Sequence, residues 1–318
     1  MAGDPSTPAL TAAVSDAGGL GMLAAGYKTA ERVGEEIAAV RKETNRPFGV
    51  NLFVPDARPV DSAAVDRYVA SLAPEASRYG VALGLPRTDD DGWAAKLDLL
   101  VAERIPVASF AFGCPAAPEL RRLREAGIAT VVTVTSAAEA RLAAAAGADA
   151  LCVQGIEAGG HRGTFASAPG DVGLLALLGL VRAATDLPLI AAGGIMTAVG
   201  VRAVLALGAV AAQCGTAFLL ADEAGTSAPH RAALADPAAT TALTRAFSGR
   251  WARGIRNRFL TEHADAPAGY PAIHHVTRPL RAAAAKAGDA GGLNLWAGQA
   301  FSLAHPASAT DIVRSLAP

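Results

Sequence analysis

The sequence predicts an α/β chain of the TIM-type (β/α)8 barrel class carrying a smaller, mainly helical cap. Three observations predict it. Short apolar runs bounded by turn residues alternate along the chain with Ala-, Arg- and Glu-containing stretches of helical period. The runs are near-continuously apolar rather than alternating, as strands must be when both faces of a parallel sheet are covered. The length, 318 residues, is one that such barrels use as a single domain with insertions.

In chain order, strands are read in GLGMLAA, FGVNLF, PVASFAF, ATVVTVT, ALCVQG, PLIAAGG and AVAAQCGT, one short of the eight that close a barrel. The chain opens on MAGDPSTPAL, a helix-start signal, so the missing strand is expected ahead of Met1 and the first strand reads as truncated. The segment 56–105, with DRYVASLAPEASRYG and DGWAAKLDLLVAERI, is longer than one crossover helix needs and reads as a helical insertion. From Asp222 to Thr277 the pattern changes. ADEAGTSAPHRAALADP and RAFSGRWARGIRNRF show no clear strand, and 222–277 is read as the helical cap over a barrel body spanning 1–221. Residues 278–318 are expected to return to the barrel as helices, SATDIVRSL last.

Twenty-eight basic against 29 acidic side chains leave a net charge of -1, which favours neither nucleic acid nor an anionic membrane as a partner. The apolar runs are broken by Gly, Arg or Asp before they reach spanning length. Cys114, Cys152 and Cys214 are an odd count without paired spacing, which fits a reducing cytosol better than a disulfide framework or a metal ribbon. A small-molecule ligand and a cytoplasmic monomer or homodimer are expected.

In barrels of this class the chemistry sits on loops that follow the strands. PLIAAGG ends in Gly193-Gly194-Ile195, and the next strand ends in Gln213-Cys214-Gly215-Thr216. Two successive glycine-bearing strand ends let backbone amides approach a phosphate, with a helix amino terminus adding favourable dipole. The alternative for each is a tight turn and nothing more. Such a phosphate belongs equally to a sugar, PLP or a flavin. Asn51 in FGVNLF and Gln154 at the end of ALCVQG each offer donor and acceptor, which the edge of an isoalloxazine ring needs, although each amide also suits local backbone. Rossmann, zinc-protease and nucleophile-elbow signatures are missing.

The most suggestive stretch is 151-LCVQGIEAGGHRGTF-165. Gly155, Gly159 and Gly160 let the loop pass close to a planar ring and hold His161 above it as an imidazole able to take and return a proton. Glu157 either orients that histidine or is solvated. His263, His274, His275 and His305 fall in the cap and tail, the adjacent pair reading as surface polar residues. Arg245, Arg250, Arg253, Arg256 and Arg258, interleaved with Phe, Trp and Gly, read as a cap helix or loop with paired charges rather than a nucleic-acid patch.

The set MAG, AVSDAGGLGML, RPFGVNLFVP, SFAFGCP, QGIEAGGHRG, AAGGI, QCGTAFL and GRWARGIRNRF resembles the nitronate monooxygenases over nearly the whole chain. The resemblance implies an FMN-dependent barrel enzyme that uses dioxygen to convert a nitronate or nitroalkane to a carbonyl compound and nitrite. By position it implies flavin contacts at Asn51, Gln154, Gly159, Gly194, Gln213, Cys214, Gly215 and Thr216, with Met1, Ala2, Gly3, Thr133, Gly160 and Gly193 completing the set. It implies that His161 is the base that removes the α-proton of a neutral nitroalkane. Cys214 stands where the family often has methionine, and Met1, Ala2 and Gly3 are what remains of its opening element. A sister group, the FMN-dependent enoyl-ACP reductases using NAD(P)H, shares the loop and histidine. A flavin-binding barrel without turnover is the second alternative. Trp296 and Gln299 in GGLNLWAGQAF read as packing residues.

Overall fold

The computed structural model describes residues 1–56 and 58–318. Its strands are β1 (Gly21–Ala24), β2 (Phe48–Phe53), β3 (Val107–Ala111), β4 (Ala129–Val134), β5 (Ala150–Gln154), β6 (Gly160–His161), β7 (Leu189–Ala192), β8 (Ala211–Gln213), β9 (Thr241–Thr244) and β10 (Ala252–Ile255). Seven of them form one parallel sheet in the order β1-β2-β3-β4-β5-β7-β8, and each lies within one of the seven apolar runs. The sheet curls into a partial barrel whose edges are β1 and β8. Met1 reaches this open side, its side chain 3.7 Å from where a Cβ on Gly215 would stand.

Both faces are covered, as uninterrupted apolar strands require. Leu52, Phe110, Val132 and Val153 are fully buried in one cluster with Ile37, Leu100, Leu120 and Leu177 from the surrounding helices. Helix starts are written in the sequence: Thr7, Thr29, Ser136, Thr197 and Ser308 each accept the backbone amide three residues on. Helix Pro8–Asp16 lies so close to β1 that a Cβ on Gly21 would sit 2.0 Å from the Thr11 carbonyl oxygen. Helix Ala309–Leu316, the last, packs against Pro8–Asp16. Among the described residues no helix is long and apolar enough to cross a membrane.

The expectation of a strandless, mainly helical 222–277 is corrected. β9 and β10 lie inside it and form an antiparallel sheet with β6, in the order β6-β10-β9. β9 and β10 pair with each other as a local hairpin, but TALT and ARGI carry no strand pattern, because β10 is buried along its whole length and so does not alternate. A second buried cluster joins Phe247, Phe259 and Ile273 to Val65, Tyr68 and Leu72. Two helices of the 56–105 insertion, Ser62–Ser71 and Ala73–Tyr79, accordingly pack on helix Ala272–Lys286, while Trp93–Ala102 packs on helix Ala30–Glu43 and β2.

Candidate functional site

The loop after β5 is held at almost every residue. Gln154 donates through Nε2 to the His161 carbonyl at 3.1 Å and accepts the Gly163 amide on Oε1 at 2.8 Å, so its side chain clamps the loop it precedes. Arg162, 1% exposed, turns its guanidinium back onto the carbonyls of Gly155 at 2.6 Å, Gln154 at 3.1 Å and Pro169 at 2.9 Å. Glu139 closes the far end by accepting from the Thr164 hydroxyl and the Phe165 amide, both at 2.8 Å. Gly159 is required for close approach: a Cβ there would lie 2.4 Å from the Gly298 nitrogen and 2.5 Å from the Ala297 carbonyl carbon. Glu157 accepts the Leu174 amide at 2.9 Å and caps helix Leu174–Arg182, so it neither orients His161 nor stands solvated.

β6 then pairs with β10, Gly160 opposite Arg253 and His161 opposite Ala252. This pairing sets His161 Nε2 2.7 Å from the Ser248 Oγ. Phe112, Tyr270 and Trp296 surround the imidazole edge-on, with centroids at 5.7, 6.1 and 5.4 Å. Nδ1 has no protein partner among the described residues. Burial, then the positive charges of Arg250 and Arg281, push the His161 pKa down from 6.5 to about 3, so the ring is neutral at physiological pH.

Two backbone outliers frame this chamber. Tyr27 follows β1 with φ +68 and Phe112 follows β3 with φ +79, conformations that non-glycine residues hold only where the surroundings impose them. The Tyr27 amide donates to Asp91 Oδ1 at 2.9 Å, and its ring stacks on His274 at 3.9 Å. Phe112 carries the Arg250 guanidinium 4.0 Å above its face. His274 is therefore not the surface residue its sequence context suggests. It is buried against an aromatic ring, while His275 pairs with Asp89 at 2.8 Å. The arginine run spans loop, strand and helix: Arg250, in the loop before β10, donates to the carbonyls of Arg162 and Thr164, Arg253, on β10, to the Ile156 carbonyl at 2.9 Å, and Arg258, opening helix Arg258–Glu262, pairs with Glu75.

The other predicted positions fall around the same mouth. Asn51, on β2, donates to Ser109 Oγ at 2.8 Å. Thr133, on β4, is buried and crowds the position a Gly163 Cβ would take, at 2.6 Å. Gly193 and Gly194, after β7, have φ +118 and +70. Gln213 ends β8, Cys214 and Gly215 follow, and Thr216 opens a 3-10 turn while accepting the Gly298 amide at 3.0 Å. The amides of Gly193, Gly194, Gly215 and Thr216 donate to no protein acceptor among the described residues, an arrangement suited to an anion. Burial raises the Cys214 thiol to about 11, which keeps it protonated. The Met1 amine donates to Ser6 Oγ at 2.6 Å, and Ala2 and Gly3 follow beside it. Trp296 contacts both His161 and Phe247, so it packs and also lines the chamber, whereas the Gln299 side chain is exposed.

Sequence reasoning missed Tyr27, Phe112, Ser248 and Tyr270. Nothing local marks them, since Ser248 meets His161 across 87 residues.

One consequence is acid lability. His161, His230 and His274 have folded pKa values lowered by burial to about 3, 4 and 2, below the 6.5 of an unfolded histidine. Between these values the unfolded chain binds more protons, so stability rises with pH there and is lost as pH falls below 6.5. Thermal midpoints recorded from pH 7 down to pH ~4 are expected to decline steadily, and a flat profile refutes the buried neutral imidazoles.

The description "Nitronate monooxygenase" is that of a family model matching residues 1–318. A nitronate monooxygenase of Pseudomonas aeruginosa is 42% identical over 326 residues, covering 98% of this chain and 92% of the relative. A crystal structure of nitroalkane oxidase from Streptomyces ansochromogenes superposes with a TM-score of 0.97 at 53% identity, covering 99% of this chain and 92% of that one. FabK from Thermotoga maritima superposes less closely, with a TM-score of 0.76 at 27% identity and coverage of 99% and 89%. With its full length matched and a shared barrel, this chain belongs to the nitronate monooxygenase family.

Proposed function

We propose that this protein is an FMN-dependent nitronate monooxygenase that converts alkyl nitronates and nitroalkanes, with dioxygen, to carbonyl compounds and nitrite. The observation that carries the reading is the neutral imidazole of His161, fixed by Ser248 at 2.7 Å on the strand-end loop of a chain in this family. The family is flavin-dependent, and the residues present suit FMN in particular. The unspent amides of Gly193, Gly194, Gly215 and Thr216 would take its single phosphate. Asn51 and Gln213 supply side-chain amides for the ring, Gln154 holds the loop beside it, and Thr133, Gly159, Gly160, Cys214 and the Met1-Ala2-Gly3 segment line the same mouth. When bound, the flavin supplies the electron acceptor and the reaction with dioxygen.

The chain's own part is acid–base chemistry and exclusion of water. Ser248 directs its proton to the Arg250 carbonyl at 3.2 Å and accepts Nε2–H of His161, which places the basic lone pair on Nδ1. Nδ1 takes the α-proton of a neutral nitroalkane, leaving the nitronate. A substrate supplied as the nitronate bypasses this step. Arg250 stays on its carbonyl partners, and its charge adds to burial in holding the free ring in the neutral form that can accept a proton. Phe112, Tyr270 and Trp296 exclude water around it. The 222–277 segment, with the first two helices of the insertion, covers the mouth.

Purified protein is expected to be yellow and to release FMN on denaturation. Anaerobic mixing with an alkyl nitronate is expected to bleach it. A colourless protein overturns the cofactor assignment. Bleaching by NADPH and not by nitronate restores the reductase alternative, and bleaching by neither restores the non-catalytic one.

A further inference from the structure

Beside the His161 chamber, and sharing Tyr270 as a wall, lies a cavity of about 200 Å³ between Asp56, residues 58–61, residues 164–167 and the turn leading into β10. Its charged lining is Arg58, Arg245 and Arg250 against Asp56 and Asp61. Most of these groups are already engaged, Arg58 among them, which gives Nε and Nη2 to Asp56 and Nη1 to Ser167 at 2.6 Å. Asp56 accepts from Arg58 Nε at 2.8 Å and from Arg250 at 3.5 Å, and Asp61 caps helix Ser62–Ser71 by accepting the Ala64 amide at 3.0 Å. Arg250 is spent on the carbonyls of Arg162 and Thr164.

Arg245 is different. Among the described residues its guanidinium has no carboxylate or carbonyl partner, and its Nε is buried without an acceptor. It is nevertheless not a loose surface chain. The guanidinium carbon lies 4.7 Å over the Trp251 ring, a contact that costs it none of its N–H donors. Among the described residues Nη1 and Nη2 have no partner either, and these are the donors that a ligand in the cavity can reach. A planar guanidinium held in place matches the two oxygens of a carboxylate or phosphate. The cavity falls below the roughly 300–1,000 Å³ of sites for drug-sized ligands, which excludes a dinucleotide and suits a small ion.

We propose that this cavity is a binding site for a small oxyanion, carboxylate or phosphate, received by the guanidinium of Arg245. The site is separate from the flavin mouth and does not depend on the activity assigned above.

Calorimetric titration of the flavin-loaded protein, with sodium phosphate in one arm and sodium acetate in the other at constant ionic strength, tests the proposal. Saturable binding of one equivalent is expected in at least one arm, and which arm saturates identifies the anion. Arg245→Gln is expected to weaken that binding by about tenfold or more. Arg202→Gln, on the exposed face of helix Ala198–Ala206, is expected to leave it unchanged. No saturable heat in either arm with the unaltered protein overturns the site, and so does equal affinity in Arg245→Gln. The titration of the unaltered protein decides the first outcome even if the variant folds poorly, and turnover of nitronates enters neither.

Discussion

Replacing His161 with alanine is expected to lower kcat/KM for neutral nitroalkanes by roughly 10²–10⁴-fold, the span of a lost general base. Activity on preformed nitronates is expected to persist, because deprotonation is then complete before binding. Flavin content is expected to stay near that of the parent, since the phosphate-facing amides belong to the β7 and β8 ends and not to this loop. Steady-state rates on the two substrate forms, with flavin absorbance as the loading control, make the measurement. Equal losses on both forms, with flavin retained, would remove the proton-transfer role. A companion Ser248→Ala variant separates position from chemistry: it keeps the imidazole and removes its 2.7 Å anchor.

Gly159→Ala is expected to carry the largest structural effect near the site. The added methyl meets backbone at 2.4–2.8 Å on Ala297 and Gly298, atoms that no rotamer change moves aside. Those residues are pinned in turn, Gly298 to Thr216 Oγ1 at 3.0 Å and the Gln299 amide to the Glu157 carbonyl at 2.9 Å. Overpacking costs about 1–3 kcal/mol where side chains yield, and a backbone collision places this variant at the upper end, about 3 kcal/mol or more. Thermal unfolding is expected to fall by about 4 °C or more. Because the shift propagates to His161 two residues on, activity on neutral nitroalkanes is expected to fall further than that on nitronates. An unchanged midpoint would mean that the 297–299 segment does not lie against the loop.

The barrel was legible because its strands announce themselves locally. A strand covered on both faces is a contiguous apolar run, and FGVNLF or ATVVTV needs no distant partner to be recognised. The site's strand-end residues were legible for the same reason, as each sits where such a run stops. What escaped lacked a local pattern or was built at long range. β9 and β10 pair as a local hairpin, but β10 is buried at every position and shows no alternation, and its join to β6 spans about ninety residues. His274 looks polar in sequence and is buried by a stack on Tyr27, which lies about 250 residues earlier. Gln154 shows the limit of residue type as a guide. Its amide was read for a flavin edge, and in the structure both ends of that amide already engage the loop backbone.

The two-residue strand β6 has a mechanical corollary. Since His161 shares a ladder with β10 and a hydroxyl contact with Ser248, the orientation of its imidazole is set by the β9–β10 hairpin, and a substitution that shifts this hairpin relocates the ring even when it lies far from residue 161 in sequence.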